Sequence, residues 1–303
     1  VNASGQVVGQ STTAGDAATH AFSWTQSGGM VDLGTLGGSS SYPVAVNASG
    51  QVVGFAYTAG DAAWHAFSWT ESGGMVDLTL GGSYSSASAV NVRGQVVGWA
   101  QTAGDAEEHA FSWTQSGGMI DLTLGGSYSF AYAVNARGQV VGYATTAGDA
   151  EQHAFSWTQS GGMVDLGTLG GSYSYPFAVN VSGQVVGQST IAGDAVGHAF
   201  SWTESGGMVD LGTLGGSSSI AYAVNADGQV FGSATTAGDA EEHAFSWTES
   251  GGMVDLGTLG GSYSTPVAVN ASGRVVGYST TAGDAASHAV LWGRRVNPAS
   301  PQQ

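Results

Sequence analysis

The chain contains no cysteine and no lysine. Without cysteine it has no disulfide, no thiolate chemistry and no cysteine-based metal site. Its only basic residues are five arginines, set against 22 Asp and Glu, for a net charge of −17. Phosphate backbones and anionic bilayers are gripped by clustered Lys and Arg, so nucleic acid and membrane surfaces are excluded as partners. Charged residues make up only 9% of the chain, against about 25% in ordinary domains. The polar surface must therefore come from Ser, Thr, Asn, Gln and backbone. No apolar run approaches the ~18 residues of a membrane span, and no stretch keeps a useful helical period. The G-x-S-x-G, Walker A and H-E-x-x-H patterns are all missing. The chain opens at Val1 inside a repeat with no signal peptide, which reads as a mature or trimmed product.

What is present is one sentence written seven times. The phase marker VNxxGxVxG starts at Val1, Val46, Val90, Val134, Val179, Val224 and Val269, a period of 44 or 45 residues. Each period reads as four short strands, in the second repeat at residues 42–46, 51–56, 65–70 and 75–80. They are separated by the turn NASG, the loop YTAGDAAW and the turn ESGG, with Gly50 suited to positive φ. In HAFSW, His20, Phe22 and Trp24 fall on one face and Ala21 and Ser23 on the other. Large residues on one face can fill the space beside small ones on the next unit. The expected fold is all-β: a seven-bladed β-propeller of four-stranded antiparallel blades with an incomplete closing blade. A β-solenoid explains the period less well, because its coils repeat at shorter intervals. The domain spans residues 1–292, followed by a tail at 293–303.

HAF, the SW that follows it, DLGTLGG and VNxxGxVVG recur in this order. In them the chain resembles the HAF family of bacterial extracellular repeats, over residues 1–292. The resemblance implies a secreted or cell-surface protein and a propeller-like array; it implies no reaction. In the last repeat Val290 and Leu291 replace Phe and Ser.

Thirteen of the fourteen Asp and all seven His are locked to the repeat. A catalytic site needs a unique arrangement of groups, so no catalytic residue and no enzyme are expected. The spacing Asp–x3–His–x3–Trp recurs, as in Asp16, His20 and Trp24; Asp61, His65 and Trp69; Asp105, His109 and Trp113. It reads as a structural hydrogen-bond network in which this Asp orients the His. One Asp and one His do not complete a zinc site, and the AGDA loops lack the several carboxylates of a calcium loop. No metal and no cofactor are expected. NAS or NVS sequons occur at Asn2, Asn47, Asn180 and Asn270. The Asn persists where the sequon is lost, so the turn accounts for it.

Positions that vary between repeats carry what the fold does not dictate. The residue after VVG or VFG is Gln10, Phe55, Trp99, Tyr143, Gln188, Ser233 and Tyr278. The pairs before His include Ala63-Trp64 and Glu107-Glu108, and Tyr42, Phe130, Tyr175 and Ile220 enter the first strand. Such variation is either drift at exposed loops or a recognition face. Phe55, Trp64, Trp99 and Tyr143 are the candidate ligand contacts, since aromatic rings offer area and a polar handle. Two functions follow. One is extracellular recognition or adhesion toward a glycan or surface polymer, without catalysis. The other is a self-assembling subunit of a fibre or surface layer. For the second, a closed ring lacks two strands between Trp292 and Val1. The tail supplies at most one, around residues 294–297, before Pro298 stops it. An edge left open is a template for head-to-tail pairing with another copy. Trimming from a longer array explains the same count.

Overall fold

The computed structural model describes residues 1–293 apart from Asp16 and Ala271. The expected tail strand around residues 294–297 therefore lies outside the described residues. Two compact units divide the chain: Val1–Gly167 with Ser172–Pro176, and Thr168–Gly171 with Phe177–Gln303. Both are all-β.

The second repeat shows how one copy folds. Gly37–Val46 pairs antiparallel with Val52–Thr58, which pairs with Trp64–Thr70, which pairs with Gly74–Leu78. The third repeat and, in unit 2, the sixth follow the same order. The first strand is longer than its apolar stretch predicts, at ten residues. The added segment is GGSSS: the backbone extends through the glycines because Ser side chains there hold the neighbouring repeat. Ser41 Oγ accepts the Ala21 N–H at 2.9 Å and donates to Gly34 O at 2.6 Å. Ser85 does the same with Ala66 N–H and Leu78 O, and in unit 2 Ser264 with Ala244 N–H and Gly257 O. Each is a buried hydroxyl with both a donor and an acceptor partner.

Asparagine forms a second tie. Asn47 Oδ1 accepts the N–H groups of Ser49 and Gln51, closing the expected turn, while Nδ2 donates to Asn91 O of the next repeat. Asn91 repeats the bond to Asn135 O, and in unit 2 Asn180 bonds Asn225 O. Gln51 then crosses to Ser68 Oγ at 2.9 Å. Asn47 and Asn180 are buried, at 5% exposure each, so these sequons serve the turn and offer no free amide to a glycan.

The core sits between successive repeats. Phe67 packs with Val52 and Ala56 against Ala21 and Leu33 of the preceding repeat. Phe111 packs against Val53, Ala66 and Leu78 in the same way, and in unit 2 Phe245 against Val186, Ala199 and Leu211. Ala66, Phe67 and Ser68 are all buried, so both faces of the strand are covered, as the large-and-small alternation predicts. The glycine of VVG is obligatory for a different reason. A Cβ on Gly54 would collide with Tyr42 O, where the first strand bulges between Pro43 and Ala45. No helix among the described residues is long and apolar enough to cross a membrane.

Candidate binding site

Phe55, Trp99 and Tyr143 hold one register position in three successive second strands, opposite Ala66, Ala110 and Ala154. An alanine partner leaves that face open for a ring. Trp64 begins the third strand of its repeat, opposite Tyr57. Unit 1 joins all four into one continuous aromatic strip. Tyr42 stacks on Phe55 with centroids 5.0 Å apart; Phe55 meets Trp64 at 5.2 Å; and Trp64 meets Trp99 edge-on at 5.5 Å. Trp99 meets Phe130 at 5.6 Å, Phe130 stacks on Tyr143 at 5.2 Å, and Tyr143 meets Tyr175 at 5.1 Å. These separations are those of favourable ring pairs.

Two members of the strip escape a reading based on variable positions. Tyr84, 5.1 Å from Trp64, belongs to the recurring GGSY segment and so resembles scaffold; Tyr132, 5.7 Å from Tyr143, follows Phe130 by two residues on the same face. They are the exposed margin of the strip, at 36% and 40% exposure, while the other rings are partly buried.

Polar groups lie among the rings. Burial, then the neighbouring Tyr132, Tyr175 and Glu108, hold the Tyr143 phenol well above its usual range. Burial raises Tyr132 and Tyr175 as well. These phenols therefore stay neutral at ordinary pH, able both to donate and to accept. Tyr175 Oη donates to Gln152 Oε1 at 2.6 Å, and Gln101 Nε2 donates to Glu108 Oε1 at 3.5 Å. Gln101 Oε1 is buried with no hydrogen-bond partner among the described residues. The strip thus combines ring faces with hydroxyl and amide groups, the pairing that a polyhydroxylated, partly apolar ligand requires.

The Asp–His–Trp network takes a different form from the one its spacing suggests. The partner of His65 is Asp77, twelve residues on, with Nδ1 2.9 Å from Oδ2. His20 pairs with Asp32 and His109 with Asp121 in the same manner. A four-residue offset across a loop cannot return a side chain to the strand, whereas a hairpin sets the third and fourth strands side by side. The GDA aspartates pin the loop instead. Asp61 Oδ1 accepts Ser39 N–H at 2.7 Å, and Asp105 accepts both N–H and Oγ–H of Ser83. Asp61 and Asp105 also take positive φ, 55° and 56°, which Asp tolerates better than most residues. Asp16 lies outside the described residues. The tryptophans pack: Trp69 beside Met75, Trp113 beside Met119, and Trp24 is 38% exposed. Their indole N–H groups make no hydrogen bond to the described residues. On the other side of the ring, Glu107 Oε2 lies 3.2 Å from His109 Nε2, off hydrogen-bonding geometry. Among the described residues no group of three or more His, Asp or Glu is arranged to hold a metal ion.

No protein-family model matches the chain, and no curated protein matches it. Its likenesses are to solved structures. The β-propeller domain of the Trilobed protease from Pyrococcus furiosus, with an open velcro topology, is 11% identical over 84% of this chain and 80% of its own, with a TM-score of 0.48. TolB from Acinetobacter baumannii is 10% identical over 95% and 80%, with a TM-score of 0.44. A candidate 6-phosphogluconolactonase from Bacteroides fragilis is 12% identical over 94% and 93%, with a TM-score of 0.42. The last of these corrects the expectation that the chain is not an enzyme. A repeated scaffold still varies freely at its loops and strand ends, so uniform repeats are no ground for excluding catalysis. At this distance the likenesses pass no activity or substrate to this chain.

Proposed function

We propose that each repeat is one blade of a seven-bladed β-propeller, and that unit 1 carries an extracellular carbohydrate-recognition face. The carrying observation is the unbroken run of ring contacts from Tyr42 to Tyr175. Phe55, Trp64, Trp99 and Tyr143 supply the platform; Tyr84 and Tyr132 supply its accessible margin. A core does not need this strip, because the Phe and Val positions between repeats already bury the apolar surface. Rings that stack along a line favour an extended ligand with alternating apolar and hydroxylated faces, such as a glycan chain or surface polymer. The HAF-type motifs accord with a place outside the cell.

A glycan array followed by intrinsic tryptophan fluorescence titration tests the reading. Binding of at least one neutral oligosaccharide, with a change in Trp64 or Trp99 emission, is expected. A folded protein that binds no glycan or surface polymer contradicts it.

A further inference from the structure

The turn between the first and second strands carries one freely varying residue: Ser4, Ser49, Arg93, Arg137, Ser182, Asp227 and Ser272. Two of the five arginines of a strongly acidic chain thus occupy the same turn in adjacent repeats. Both line a cavity of about 630 Å³ in unit 1, together with Thr114, Trp157, Gln159 and Ser160. Small-molecule sites commonly span about 300–1,000 Å³.

Three observations mark the cavity as a ligand site. First, its lining contains no carboxylate, and neither arginine forms an ion pair among the described residues. Arg93 Nη1 donates to Arg137 O at 3.3 Å, which anchors one guanidinium beside the next turn without neutralising it. Second, the arginines are not a requirement of the scaffold. The equivalent cavity in unit 2 is lined by Ser182 and Asp227 at the same turn position and by Glu249 at the hairpin. The hairpin residue is Glu71, Glu204 and Glu249 in repeats two, five and six, but Gln26 in repeat one and Gln115 and Gln159 in the two repeats that carry arginine. Acidic groups are absent from the hairpins where basic ones appear in the turns. Third, unengaged donors surround the arginines. The Gln159 amide and the Ser160 hydroxyl make no hydrogen bond among the described residues. Thr114 Oγ1 accepts Gly117 N–H at 3.0 Å, which leaves its own proton to donate.

We propose that this cavity binds a sugar acid, with Arg93 and Arg137 taking its carboxylate and Thr114, Gln159 and Ser160 its hydroxyls. Guanidinium groups match carboxylates with two parallel hydrogen bonds, and the hydroxyl and amide lining suits a polyhydroxylated body. The site is separate from the aromatic strip. Trp64 sits beside the GDA loop, whereas the cavity lies at the opposite strand ends, between the turns and hairpins.

The test titrates the full chain by calorimetry with trigalacturonate, with a neutral galactose trimer, with sodium sulfate and with hexaglutamate. Trigalacturonate should bind, and more weakly as salt shortens the screening length. Arg93→Ser with Arg137→Ser, and separately Gln159→Glu, should each weaken it at least tenfold. Other repeats carry these residues naturally, so the variants should keep the thermal midpoint of the parent. Neutral-glycan binding at the aromatic strip should not change in them. No binding of trigalacturonate overturns the proposal, as does neutral-trimer binding that the arginine variant weakens just as much. Tighter binding of hexaglutamate, or sulfate binding that the same variants abolish without any preference for trigalacturonate, overturns the sugar-acid assignment.

Discussion

Repeats two to four of unit 1 and repeats five and six of unit 2 share a backbone and differ in what they present on it. Phe55, Trp99 and Tyr143 lie opposite Ala66, Ala110 and Ala154; Gln188 and Ser233 lie opposite Ala199 and Ala244 in the same register. In unit 1 the position builds a strip of rings. In unit 2 it turns inward to the protein's own polar groups: Gln188 Nε2 donates to Ser219 O at 3.1 Å, and Ser233 Oγ donates to Glu242 Oε1 at 2.5 Å. In unit 2 Phe177 meets Tyr222 at 6.2 Å, a wider separation than any pair in the strip of unit 1. The turn position tells the same story with charge, arginine in one unit and aspartate in the other. The difference teaches that framework and presentation are separable. Ser, Asn, Phe and Gly positions hold the repeats together in both units, and the variable positions are left to do something else.

If the framework is common, damage to it should be indifferent to the unit. Phe67→Ala in unit 1 and Phe245→Ala in unit 2 each empty a fully buried ring site and should each cost about 3–5 kcal/mol. Denaturant unfolding of the two variants checks this; a near-neutral effect in one unit alone would break the equivalence. Next in size, Ser85→Ala and Ser264→Ala should each cost about 1–3 kcal/mol, by leaving a buried N–H and a carbonyl without their shared hydroxyl. Equal losses in both units are expected.

The smallest effect is acid sensitivity at the GDA loops. Hydrogen bonds from Ser83 and Ser127 hold the Asp105 and Asp149 carboxyls below the usual carboxylate range, and the Ser217 bonds do the same for Asp239. A lowered folded-state pKa means that the ionised form favours the fold. This contribution is therefore complete above the unfolded value of about 3.9 and is lost as pH falls below it. The thermal midpoint should drop between pH 5 and pH 2. Asp105→Asn together with Asp239→Asn should flatten that drop, because an amide oxygen still accepts the Ser N–H without titrating. An unchanged profile would contradict the loop-pinning role.

Much of this was legible in the sequence, and for a physical reason. A period of 45 residues with alternating large and small side chains leaves few ways to bury both strand faces, so the four-stranded unit could be read from HAFSW and its turns. The candidate rings were legible as departures from the repeat. What stayed hidden has its cause in three dimensions. The partner of each His could not be read from spacing, since the hairpin between the third and fourth strands brings Asp77 to His65 while Asp61 turns away to Ser39. The Ser of GGSxS looked like a loop residue because its role is to bond a neighbouring repeat, which no local pattern announces. Tyr84 was masked by its own recurrence at Tyr128, Tyr173 and Tyr263.

The most direct measurement compares two double variants in one calorimetric titration with a neutral oligosaccharide found on the array. Trp64→Ala with Trp99→Ala opens the strip in unit 1, and Gln188→Ala with Ser233→Ala alters the matching positions in unit 2. The first should weaken binding at least tenfold, about 1.4 kcal/mol, while the exposed-margin variant Tyr84→Ala gives a smaller loss without a change in thermal midpoint. The second should bind like the parent. Equal losses in both double variants, or undiminished binding in the first, would contradict a recognition face built on the aromatic strip of unit 1.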